Sequence, residues 1–104
     1  MKNEAKITQQ VRDYLKEIRK KNDGLVYFWK VSDRFTSGIP DWFILINGQC
    51  FFVELKKPGK DARRLQNHVL DKIKKAGGAS LATDDFSEFK TILNRLLLEK
   101  KLKI

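Results

Sequence analysis

Asn47-Gly48 lies between two apolar, strand-favouring runs, Asp41-Trp42-Phe43-Ile44-Leu45-Ile46 and Gln49-Cys50-Phe51-Phe52-Val53-Glu54-Leu55-Lys56. Both residues of a two-residue hairpin turn must reach positive φ, so this dipeptide predicts a β-hairpin and sets its register. Counting back from the turn, Ile46 faces Gln49, Leu45 faces Cys50, Ile44 faces Phe51, Phe43 faces Phe52, Trp42 faces Val53 and Asp41 faces Glu54. Side-chain alternation then places Lys56 on the face of Glu54. A loop one residue longer would break the register and send each side chain to the opposite face.

The register opposes two carboxylates at a Cβ separation of roughly 4.5–5.5 Å, where like charges destabilise a sheet. Two readings follow. In the first, Asp41 and Glu54 sit at a frayed strand end, each neutralised by one of the many lysines. Alternatively, Mg²⁺ or Mn²⁺ relieves the repulsion, with the Lys56 ammonium orienting a water nucleophile beside a phosphate. A Glu-x-Lys triplet alone means little in a chain this rich in both residues; its opposition to Asp41 across a hairpin is the informative part.

Composition narrows the partners. The 104 residues suffice for one small domain, 1–104, and 22 Lys plus Arg against 13 Asp plus Glu leave a formal charge of +9. That balance favours an anionic partner, nucleic acid before a membrane surface. No stretch approaches the roughly 18 apolar residues of a spanning helix, and Met1-Lys2-Asn3-Glu4 opens no signal peptide, so a soluble, cytoplasmic protein is expected. The single Cys50 excludes an internal disulfide and a Cys-rich zinc site, and the lone His68 cannot build a His cluster. Carboxylates remain as the ligand set.

From Glu4 to about Lys21, apolar residues at Ile7, Val11, Tyr14, Leu15 and Ile18 follow the period of an amphipathic helix. Leu25 to Val31 reads as a largely buried strand, and Ser32 to Gly38 as a polar loop carrying Arg34. After the hairpin, Lys57-Pro58-Gly59-Lys60 breaks the strand. Asp61 is placed to cap a second helix with Ala62, Leu65, Val69, Leu70, Ile73 and Ala76 on its apolar side. Ala79 to Thr83 reads as a further strand. Asp84 or Asp85 then caps a last helix with Phe86, Phe89, Ile92, Leu93, Leu96 and Leu97 inward, fraying through the basic tail Glu99 to Ile104. The predicted order is αβββαβα, one α/β domain with a mixed sheet.

Polar residues interrupt two apolar stripes. At 100° per residue Glu4 lies within about 60° of Ile7, Val11, Leu15 and Ile18, where a metal-bound water, a lysine or exposure in the first turn would relieve the charge. Gln66 falls at the centre of the stripe of Ala62, Val69, Leu70 and Ile73. It is either a satisfied core amide or a group supporting the acidic end of the hairpin. His68 falls on the solvent side.

Basic residues gather around the hairpin: Lys30, Arg34, Lys56, Lys57, Lys60, Arg63, Arg64, Lys72, Lys74 and Lys75. Most read as a solvated face, whereas Arg63 and Arg64, in the first turn after the lysine strand, are placed to contact backbone phosphates. No aromatic stacking platform is evident in the sequence, which disfavours single-strand readout.

Gly38-Ile39-Pro40-Asp41, then Val53-Glu54-Leu55-Lys56, then Gln66 on the following helix, with Glu4 on an early helix, resembles the VRR-NUC family of the PD-(D/E)xK nuclease superfamily. The likeness is to the small stand-alone members found in phages and bacteria. It implies a restriction-endonuclease-like fold in which Asp41, Glu54 and the Leu55 carbonyl bind Mg²⁺ or Mn²⁺. Lys56 would orient the attacking water, Glu4 would complete the acidic set and Gln66 would support it. Arg34, Lys57, Lys60, Arg63 and Arg64 are the expected DNA contacts. The resemblance further implies a homodimer acting on branched DNA of the Holliday-junction type. The alternative is a non-catalytic DNA-binding module whose acidic cluster is a relic or a structural metal site, against which the intact Glu54-x-Lys56 triplet argues. Leu96-Leu97-Leu98 exceeds a narrow inward stripe and is expected to lie at a dimer surface.

Overall fold

The computed structural model describes residues 4–31, 38–56 and 64–104. The elements run α1 (Glu4–Lys21), β1 (Val26–Lys30), β2 (Trp42–Ile46), β3 (Gln49–Leu55), α2 (Arg64–Lys75), β4 (Ala79–Thr83) and α3 (Phe86–Glu99), which is the expected αβββαβα order. The four strands form one sheet in the order β1-β2-β3-β4, antiparallel from β1 to β3 and parallel between β3 and β4.

The hairpin folds as its turn dictates. Asn47 and Gly48 both take positive φ, 43° and 90°, and the pairs run from Ile46↔Gln49 to Trp42↔Val53 in the predicted register. One face of the sheet carries Val26, Phe28, Trp42, Ile44, Ile46, Phe51, Val53 and Leu55, all buried in the main core. Against it pack Ile7, Val11, Leu15 and Ile18 of α1 and Phe89, Leu93 and Leu97 of α3. Phe51 stacks on Phe89 with ring centroids 6.3 Å apart. α2 lies on the opposite face over β3 and β4, where the Leu70 carbonyl accepts the Ser80 hydroxyl at 3.0 Å.

Two expectations change. β1 is an edge strand with a single covered face: Val26 and Phe28 are buried, while Tyr27 is 55% and Trp29 46% exposed. The tail after α3 does not fray, because Lys101 turns at φ 59° while Leu102 N–H donates to Leu97 O at 2.8 Å and Lys101 N–H to Leu98 O at 3.0 Å. These two bonds make a Schellman stop. Leu102 is buried, and Asn22 clamps the next residue, with Lys103 N–H donating to Asn22 Oδ1 at 2.8 Å and Asn22 Nδ2 donating to Lys103 O at 2.9 Å. Of Leu96-Leu97-Leu98, Leu97 is core and Leu96 packs against the core, as the inward stripe requires, and Leu98 alone of the three lies beyond it, exposed. Of the two proposed caps of the last helix, Asp85 is the N-cap, its Oδ1 accepting Ser87 N–H at 3.0 Å. The proposed Asp61 cap lies outside the described residues.

Candidate active site

Asp41 and Glu54 occupy the positions just beyond the last hairpin pair, Trp42↔Val53. Trp42 and Val53 point into the main core, so alternation turns Asp41, Glu54 and Lys56 toward the opposite face, the one covered in part by α2. The residue that would face Leu55 is Pro40, where the regular ladder ends. There the Asp41 side chain takes over: Leu55 N–H donates to Asp41 Oδ2 at 2.8 Å. Meanwhile the Asp41 carbonyl accepts Val31 N–H, also at 2.8 Å, so the backbone of Asp41 is tied to the strand on one side and its carboxylate to the strand on the other.

Glu54 is buried, at 6% exposure, and its backbone is fixed in the parallel pairing with Ala82 of β4. Lys56 is half-buried, and its N–H donates to Thr83 O at 2.8 Å, which extends the β3–β4 ladder one residue past Leu55. The structure therefore gathers Asp41, Glu54, Leu55 and Lys56 at one end of the sheet. A carboxylate at this depth costs several kcal/mol unless hydrogen-bonded or neutralised.

Glu4 opens α1. Arg12 lies over the Trp42 ring at 5.3 Å and Arg19 over the Phe28 ring at 4.6 Å, so going backward along the helix leads toward the Asp41 end of the sheet. The first turn bearing Glu4 is thus directed to the acidic end, from the α1 side. Gln66 and Arg64 belong to the first turn of α2, the helix on the face of Glu54. The placement of the Glu4, Arg64 and Gln66 side chains, and of Arg34, Lys57, Lys60 and Arg63 altogether, lies outside the described residues. His68 is exposed, as its helical angle requires.

The oxygens available at the sheet end are two carboxylates and the adjoining Leu55 carbonyl, the hard ligand type that Mg²⁺ or Mn²⁺ favours. Among the described residues no group of three His, Cys, Asp or Glu is gathered for a metal, so these two acids would need water, substrate or Glu4 to complete a coordination shell. None of the described helices is long and apolar enough to cross a membrane.

A solved structure described as "VRR_NUC domain" superposes on this chain with a TM-score of 0.72, covering 90% of this chain and 97% of that one at 19% sequence identity. The chain has the fold of a VRR_NUC domain. No family model and no curated protein matches its sequence. Within the VRR_NUC fold, Asp41 at the head of β2 and Glu54 and Lys56 at the end of β3 are brought together by strand pairing alone.

The same face holds a feature that the sequence reading missed. Trp29, Phe43 and Phe52 stand in one cross-strand row, with Trp29 stacked on Phe43 at 4.3 Å and 18° and Phe43 edge-on to Phe52 at 4.9 Å. Tyr27, two residues earlier on β1 and opposite Leu45, brings its ring to 5.5 Å from that of Trp29. Four aromatic rings therefore gather on one face, where the sequence made no such cluster evident. The available signal was the alternation Tyr27-x-Trp29, which puts both rings on the face away from Val26 and Phe28.

Proposed function

We propose that the protein is a VRR-NUC-type nuclease that hydrolyses phosphodiester bonds of DNA with Mg²⁺ or Mn²⁺, acting as a homodimer on branched DNA. The observation that carries this reading is the Asp41 carboxylate bound to the Leu55 amide beside buried Glu54, with Lys56 next along the same strand. The positive net charge of +9 supports a polyanionic substrate.

Asp41, Glu54 and the Leu55 carbonyl would hold the divalent ion, which when bound neutralises charge on the phosphate and lowers the pKa of a bound water. The residues of the chain do the rest. The Leu55 N–H fixes the Asp41 carboxylate, the β4 pairing fixes Glu54, and the Lys56 ammonium hydrogen-bonds the attacking water and orients it toward phosphorus, in line with the departing oxygen. Glu4 completes the acidic set from α1, Gln66 supports the site from α2, and Arg34, Lys57, Lys60, Arg63 and Arg64 hold flanking phosphates.

The test is incubation of the purified protein with supercoiled plasmid and with synthetic four-way junctions in Mg²⁺, Mn²⁺ or EDTA. Metal-dependent cleavage of the junction, lost in Glu54→Ala, is the expected result. Full cutting by Glu54→Ala would remove the mechanism. Metal-independent gel shifting without products would assign the chain to a DNA-binding module instead.

A further inference from the structure

The sheet has two faces, and among the described residues the one opposite the main core is covered by α2 alone. α2 packs over β3 and β4, and the β1–β2 part presents Tyr27 at 55% and Trp29 at 46% exposure. Across the strands from Trp29, Phe43 and Phe52 continue as half-buried rings in face or edge contact. Large apolar rings left in water mark a surface that meets something.

Position tells what meets it. Asp41 precedes Phe43 by two residues on β2 and Glu54 follows Phe52 by two on β3, so the aromatic row and the acidic row are adjacent on one face, about 7 Å apart along the strands. A ligand with a phosphate at the acidic row has its neighbouring group within reach of the rings. In a nucleic acid that group is a base, when it is unpaired and free to turn outward. The most exposed rings are those of a tryptophan and a tyrosine rather than branched aliphatic side chains, and the +9 charge favours a polyanionic occupant.

We propose that Trp29 and Tyr27, backed by Phe43 and Phe52, form a stacking platform for unpaired nucleobases next to the proposed hydrolytic site, so that the chain prefers DNA with a single-stranded segment at the cleaved position. The inference rests on the nuclease reading for the word "cleaved" only. The stacking itself needs neither metal nor turnover.

Tryptophan gives a direct readout, because the chain has two and the other, Trp42, is fully buried. In EDTA, titration with an oligo-dT strand should quench the exposed Trp29 emission, and a blunt duplex of equal length should quench it far less. Trp29→Ala should weaken single-strand affinity about five- to hundred-fold while duplex affinity stays within two-fold; Tyr27→Ala should show a smaller loss, and Trp29→Phe should restore most of it. Circular dichroism and melting of each variant establish that it is folded. Equal losses on single strand and duplex, or none, would overturn the platform. So would light scattering in which Trp29→Ala converts a wild-type dimer to monomer without a selective loss of single-strand binding, since the rings then belong to a subunit interface. Glu54→Ala separates the two proposals: selective single-strand quenching by a variant that still cuts DNA would sink the nuclease mechanism and leave the platform standing.

Discussion

The Asp41 carboxylate accepts the Leu55 backbone N–H at 2.8 Å, across the strand pair that the Asn47-Gly48 turn aligns. It occupies the place of a ladder acceptor where Pro40 ends the regular pairing. One acid therefore serves the sheet and, in the proposed mechanism, the metal.

These two roles separate by substitution. Asp41→Ala should cost about 1.5–3 kcal/mol, because a charge-assisted bond is lost and Leu55 N–H is left without it, whereas Asp41→Asn keeps an acceptor and should cost under about 1 kcal/mol. Both should abolish cleavage. Urea denaturation alongside a junction-cleavage assay reads the difference; equal stability losses would deny the hydrogen bond its structural role.

Metal binding should register as stability. Mg²⁺ or Mn²⁺ at about a hundred times its dissociation constant adds about 2.7 kcal/mol to a native state that binds it, so thermal melting of the wild type should rise with added metal and fall back with EDTA. Glu54→Ala should melt at one temperature with or without the ion. Lys56→Ala should retain the metal-induced rise yet cut no DNA.

The hairpin depends on backbone conformation at one glycine. Gly48 sits at φ 90° with open space where a Cβ would go, so Gly48→Ala meets no clash and suffers conformational strain alone. A destabilisation of about 1–2 kcal/mol is expected in chemical denaturation. A neutral result would mean that the turn tolerates another geometry.

The C-terminal stop offers two opposite changes. Lys101 holds φ 59° at a position that favours glycine, so Lys101→Gly should stabilise by up to about 1 kcal/mol. Asn22 is 5% exposed and bonds Ile18 O at 2.9 Å as well as both backbone groups of Lys103, so Asn22→Ala should cost about 2–3 kcal/mol. Hydrogen exchange at the Lys103 amide should accelerate in Asn22→Ala as the tail is released.

Local rules were enough for a large part of the molecule. The Asn47-Gly48 turn determined the hairpin register, the 3.6-residue spacing of Ile7, Val11, Leu15 and Ile18 determined the buried stripe of α1, and Asp85 capped α3, because each of these depends on residues within a few positions of one another. That Asp41 and Glu54 come to the same end of the hairpin was legible for the same reason, although the regular pairing stops one position short, at Trp42↔Val53. Tertiary structure alone decided that Asp41 would bind Leu55 N–H, that Asn22 would hold a tail 81 residues away, and that α2 would cover β3 and β4 while leaving Tyr27 and Trp29 in water. Alternation says which side chains share a face of a sheet. Which face is buried depends on where distant helices come to rest, and that is a matter of packing volume and chain connection that no local pattern encodes.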